Sequence, residues 1–95
     1  AQDHFILNED GVLYCLKGQD ARLVWVDITS IEYSRTRYHT SVSFDSNNRE
    51  KRIYIDIQKF QCSRTMVENF IRQKAIEHDV PYHKSTLWRG KKRIV

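Results

Sequence analysis

The sequence predicts a mostly β domain with one C-terminal α-helix. About six antiparallel strands would form a strongly bent sheet or partly open barrel, capped by the helix. Three observations carry this. Apolar and polar residues alternate with period two through most of the first 58 positions. Turn residues punctuate that stretch. After Cys62 the apolar spacing changes to three and four.

The elements follow in order. Phe5 and Leu7 share a face of a first strand over 4–8, and Asn8-Glu9-Asp10-Gly11 is a turn whose Asp-Gly tolerates positive φ. Val12, Tyr14 and Leu16 then alternate with Leu13, Cys15 and Lys17, and Gly18-Gln19-Asp20 reverses the chain into 22–26. Asp27 marks a bend, after which Ile28, Ile31 and Tyr33 lead a strand to about Thr36. Tyr38 to Asp45 places Val42 and Phe44 on one face, and Ser46-Asn47-Asn48 turns into 51–57. There Ile53, Ile55 and Ile57 face one way and Arg52, Tyr54 and Asp56 the other, the clearest half-buried antiparallel strand in the sequence. Thr65 to Glu68 fits a capping box. Val67, Phe70, Ile71 and Ala75 form a single apolar stripe, and Val80-Pro81 stops the helix. Strands first and one helix last favour successive hairpins over any parallel sheet.

Ninety-five residues suit one domain, with 1–82 as the strand meander plus helix and 83–95 as a basic tail or extra edge strand. The net charge of +4 is concentrated: residues 1–82 balance at −1, whereas 83–95 carry five Lys/Arg and no acid. Leu23-Val24-Trp25-Val26 is the longest strictly apolar run, far below the ~20 residues of a membrane-spanning helix. No basic segment followed by an apolar one opens the sequence, so the expected location is cytoplasmic, alone or as a module of a larger protein. Cys15 and Cys62 are far apart in sequence and read as two buried reduced thiols.

Phe5-Ile6-Leu7, Asp10-Gly11-Val12-Leu13-Tyr14 and Val24-Trp25-Val26-Asp27-Ile28-Thr29-Ser30-Ile31, followed by a terminal amphipathic helix, resemble pleckstrin-homology-like (PH-like) domains. The bacterial and GRAM-type branches are the nearest. The resemblance covers residues 4–80 and implies the bent sheet and the closing helix. It does not extend to inositol-lipid binding: Glu9 and Asp10 occupy the first turn, where lipid-binding members place basic residues. No helical tryptophan is present, unlike in many eukaryotic members.

Nothing in the pattern points to catalysis or a cofactor. Gly11, Gly18 and Gly90 make no phosphate-binding loop, and His78 and His83 straddle a helix end and a proline, matching no metal-ligand spacing. Cys62 with His39 as a notional base lacks an orienting group. The expectation is a non-enzymatic binding module, most simply for a protein partner, with a bacterial immunity-type protein that occludes its target as one form. Its contact surface would be Tyr33, Arg35, Arg37 and Tyr38, a basic–aromatic segment of the residue types that dominate interfaces, joined by Trp88. A solvated hairpin edge is the plainer reading of the same segment. The alternative function uses Trp88, Arg89, Lys91, Lys92 and Arg93 to hold anionic lipid or nucleic acid.

Overall fold

The structure is a computed structural model that describes residues 3–48 and 51–87. Within them the chain forms seven strands and one helix. The strands are β1 His4–Leu7, β2 Gly11–Leu16, β3 Gln19–Val24, β4 Ile28–Thr36, β5 Thr40–Ser46, β6 Arg52–Asp56 and β7 Tyr82–Leu87; the helix is α1 Arg64–Glu77. The expected single bent sheet or barrel is instead two sheets, ordered β1-β2-β3 and β6-β5-β4-β7. Single 3-10 turns at Trp25–Asp27 and Ile57–Lys59 carry the chain from one sheet to the other and from β6 toward the helix.

The first sheet is built by two tight turns. The Asn8 side-chain oxygen accepts from the N–H groups of Asp10 and Gly11 at 2.9 and 3.2 Å, closing the β1–β2 hairpin. Gly11 (φ 155°) pairs with Val24, and a Cβ there would lie 2.1 Å from the Leu23 carbonyl oxygen, so this position requires glycine. The next reversal falls one residue earlier than the sequence suggested. Lys17 (φ 52°) and Gly18 (φ 80°) are the central pair between Leu16 and Gln19, both left-handed as a type I′ hairpin demands.

The second sheet is antiparallel through β4, β5 and β6, with Tyr33 opposite Val42 and Val42 opposite Ile55. Ile31, Tyr33, Val42, Phe44, Ile53 and Ile55 face inward and are almost fully buried. They meet Val12, Tyr14 and Leu23 of the first sheet and Ile71 and Ala75 of the helix in one core. Trp25 stands at the junction of these layers, with its indole N–H donating to the Asn8 carbonyl at 2.8 Å and its ring against Phe44, Phe70 and His78.

The C-terminal region departs most from the expected meander. After the helix, β7 joins β4 in parallel, Ile31 opposite Tyr82 and Tyr33 opposite Lys84. Since β6 and β4 also run the same way, β6–α1–β7 is a crossover that passes over β5 and β4. The expected absence of parallel pairing is corrected here, and the strand count rises from six to seven. Tyr82-His83-Lys84-Ser85-Thr86-Leu87 carries no apolar alternation to announce a strand. It pairs because β4 offers an otherwise open edge. Residues 83–87, for which tail and edge strand were both open, lie in that strand.

The helix ends also differ from expectation. Ser63, not Thr65, is the N-cap, its hydroxyl accepting from the Met66 N–H at 3.2 Å, and Glu68 is freed for another role. At the other end the Asp79 N–H donates to the Ile76 carbonyl and the Val80 N–H to that of Ala75, a Schellman closure with Asp79 in the left-handed region (φ 55°). Glycine is the preferred residue there. Asp79→Gly is therefore expected to raise stability by about 0.5–1 kcal/mol, read as a higher urea midpoint with an unchanged m-value.

Candidate functional site

The β4–β5 hairpin and the sheet end beneath it carry four of the nine sequence-derived candidates, Tyr33, Arg35, Arg37 and Tyr38, on two opposite faces. Strand alternation places Tyr33 and Arg35 on the inner side with Thr40 of β5, while Arg37 and Tyr38 form the turn. The turn is held from both sides: the Thr36 N–H donates to the His39 carbonyl at 2.7 Å, and the Thr36 hydroxyl donates to the same oxygen at 3.1 Å. Tyr38 is 78% exposed, with the Arg37 guanidinium 5.5 Å from its ring centre. His39 lies between two β6 side chains, its Nε2 3.0 Å from the Tyr54 hydroxyl and its Nδ1 3.6 Å from Asp56. Tyr54 is half exposed. The tip thus presents Arg37 and Tyr38 on a hydrogen-bonded turn, with the His39–Tyr54 pair beside them.

Tyr33 is corrected out of this surface. It is fully buried, because its side of β4 is the core side, and its hydroxyl has no hydrogen-bond partner among the described residues. Arg35 shares that inner side and is half-buried. Trp88, Arg89, Lys91, Lys92 and Arg93 lie outside the described residues, and with them the expected lipid or nucleic-acid contact.

Beneath the hairpin, a polar seam joins the helix to the sheet edge. Glu68 is buried; its carboxylate accepts from the Lys84 amine at 2.8 Å and from the Tyr82 hydroxyl at 3.4 Å. The Lys84 amine lies 6.0 Å from the Tyr33 ring centre. Burial, then the Glu68 charge, raises the phenol pKa values of both Tyr33 and Tyr82. The Thr40 hydroxyl is a second fully buried polar group without a partner among the described residues. No sequence period announces this seam, since Glu68 read as a cap and Lys84 as tail. Tyr54 was more accessible to sequence reading: an aromatic on the polar side of an alternating strand has no core to enter.

A second charged cluster fixes the helix to the first hairpin. The Lys74 side chain is only 3% exposed and its amine donates to Glu9 and to Glu77, the latter at 2.9 Å. The bond donated to Glu9 leads among the causes that raise the lysine pKa, and the bond accepted from Lys74 leads those that lower that of Glu77.

Cys15 is buried and Cys62 exposed, correcting the expectation that both thiols lie inside. Cys15 is raised chiefly by its hydrogen bond to Asp20, and Cys62 chiefly by desolvation, the opposite of thiolate activation. His39 is engaged with Tyr54 and Asp56 rather than Cys62. Among the described residues no cluster of three or more His, Cys, Asp or Glu could hold a metal, and no helix is long and apolar enough to cross a membrane. No protein-family model and no curated protein matches the chain.

Two outcomes follow from the buried groups. Tyr33→Phe removes an unpaired buried hydroxyl and is expected to hold stability or raise it by up to about 1 kcal/mol. It should also reduce the stability lost above about pH 10. A raised phenol pKa gives a contribution that is present below the unfolded value and lost as pH rises through the folded one. Denaturant titrations at pH 7 and pH 11 read both effects. For Glu77 the sign reverses: its lowered pKa gives stability above the usual carboxylate range that is lost as pH falls through the folded value. Lys74→Met should flatten the acid side of the stability–pH curve, measured by urea unfolding between pH 2 and 7.

Proposed function

We propose that this is a non-enzymatic binding domain whose β4–β5 hairpin tip engages a protein partner. The observation that carries the reading is the exposure of Tyr38 and Tyr54 on a tip already locked by Thr36 and His39. Large aromatics with polar ends, held in place before contact, bury area at little conformational cost, and arginine and tyrosine dominate binding energetics. Arg37 adds a cation beside Tyr38, so the matching surface would carry acidic or carbonyl acceptors around an aromatic-sized pocket.

The early hairpin, the bend at Trp25–Asp27 and the C-terminal helix support the PH-like resemblance as the scaffold of this domain. The parallel strand after the helix departs from it, because the resembling pattern closes on the helix. Recognition by an occluding, immunity-type partner contact would use the same tip. A cytoplasmic setting accords with the two unpaired cysteines.

The test places a photo-crosslinking amino acid at position 38 and, as a control, at position 26, where Val26 is 77% exposed on a different part of the surface. In the native cell the expected result is a discrete protein adduct from 38 that is absent from 26 and lost with Arg37→Glu. Against the purified adduct partner, Tyr38→Ala should weaken binding about tenfold or more, corresponding to about 1.4 kcal/mol. Equal adducts from both positions, or unchanged affinity, overturn the reading.

A further inference from the structure

His39 sits where the turn enters β5, and strand alternation puts it on the outer side of the second sheet with Tyr54 and Asp56 of β6. Its carbonyl accepts twice from Thr36, so the backbone is held while the side chain stays 42% exposed to solvent. Asp56 is held as well. Its Oδ1 caps the 3-10 turn at Ile57–Lys59, accepting from the Gln58 N–H at 3.2 Å, and the same oxygen lies 3.6 Å from the imidazole Nδ1. That carboxylate settles which ring nitrogen carries the proton. A lone pair on Nδ1 would face a negative charge, so the neutral ring keeps its proton on Nδ1 and leaves Nε2 as an acceptor. The 3.0 Å contact between Nε2 and the Tyr54 hydroxyl is then a bond that the phenol donates. When the ring takes a second proton, both nitrogens become donors. The phenol oxygen must now accept, and its own hydrogen turns outward from a residue that is 51% exposed.

We infer that His39 is the proton-sensitive regulator of the hairpin tip, a role that rests on the tip being the contact surface. Proton uptake converts the Tyr54 hydroxyl from a donor spent on the ring into one free to bond a partner. It also adds a positive charge to a tip that already carries Arg37. Both changes favour a partner that presents carboxylate or carbonyl oxygens. By linkage, such a partner binds more tightly as pH falls and in turn favours the protonated ring. Histidine side chains change charge between about pH 5 and 8, so the device works near neutrality. Among the described residues only Tyr54 and Asp56 bond to or pair with the imidazole. Of the other charges on the hairpin and β6, Arg35 lies on the inner side of β4, Arg37 rests against the Tyr38 ring, and Asp45 is paired with Arg52 at 3.1 Å. Glu32 stands opposite Ser43, and Lys59 belongs to the turn that Asp56 caps.

Side-chain NMR of the free, full chain between pH 5 and pH 8 reads the switch without any partner. Expected are the Nδ1–H tautomer at the alkaline end, a Tyr54 Cζ shift that follows the His39 midpoint, and no matching shift at Tyr38. Asp56→Asn, in which the amide oxygen still caps the 3-10 turn, should lower that midpoint and populate the Nε2–H tautomer. His39→Gln should abolish the Tyr54 response. An Nε2–H tautomer in the parent chain, or a Tyr54 shift independent of the His39 titration, overturns the inference. For binding, the probe is the protein captured by crosslinking through position 38. Its affinity should rise about fivefold or more between pH 7.5 and pH 5.5, and His39→Gln should remove that rise. Equal affinity at both pH values, or the same rise in His39→Gln, overturns the switch and leaves the contact surface standing. Absence of an adduct from position 38 overturns the contact surface, while the titration of the free chain still decides the switch.

Discussion

Trp25 is the constraint on which the remaining packing depends. It is 2% exposed, and its indole N–H is held by the Asn8 carbonyl of the first hairpin. Its ring meets Phe44 of the second sheet and the helix through Phe70 and the C-cap His78, the latter nearly parallel at 19°. One side chain therefore sets the relation of three layers. Burying so large a ring excludes much water, but its single polar atom must find a partner. The 3-10 turn at Trp25–Asp27 delivers the ring to the one place where the hairpin carbonyl is available. Gly11 is tied to the same point: only a residue without a Cβ lets β2 approach the Leu23–Val24 backbone leading into that turn.

Much of this was legible in the sequence because it follows from periodicity and turn chemistry. The Asn8–Gly11 turn, the bend at Asp27, the inward isoleucines of β6 and the apolar helix stripe are local signals, each enforced by contacts the residue itself makes. What was not legible is non-local. Ser63 outcompeted Thr65 as the cap because Glu68 is drawn to Lys84 and Tyr82, sixteen and fourteen residues away. Tyr33 was expected in the contact surface and is instead buried, because which side of β4 faced solvent depended on the placement of the helix. β7 was hidden because it offers the core little beyond the Tyr82 ring, while the Tyr82 hydroxyl and the Lys84 amine meet the buried Glu68 carboxylate.

The two charged seams divide the helix between its neighbours. Lys74 secures its C-terminal half to the first hairpin through Glu9, and Glu68 secures its N-terminal half to the β4–β7 edge. Each buried charge is matched by an opposite one, as it must be where water is scarce. Such pairs add little net stability compared with apolar side chains of the same shape, but breaking one leaves an expensive lone charge, so they discourage alternative dockings of the helix. The narrow apolar stripe, with Val67, Ile71 and Ala75 at its centre, would by itself tolerate more rotation.

The parallel pairing of β4 with β7 also has a consequence for how the chain is made. Ile31 finds Tyr82 roughly fifty residues downstream, so one flank of the central sheet stays uncovered on the ribosome until the helix and everything to residue 87 has emerged. Through that interval the nascent polypeptide leaves the backbone groups along one side of β4 without their native strand partner, the kind of open edge that invites pairing with another chain.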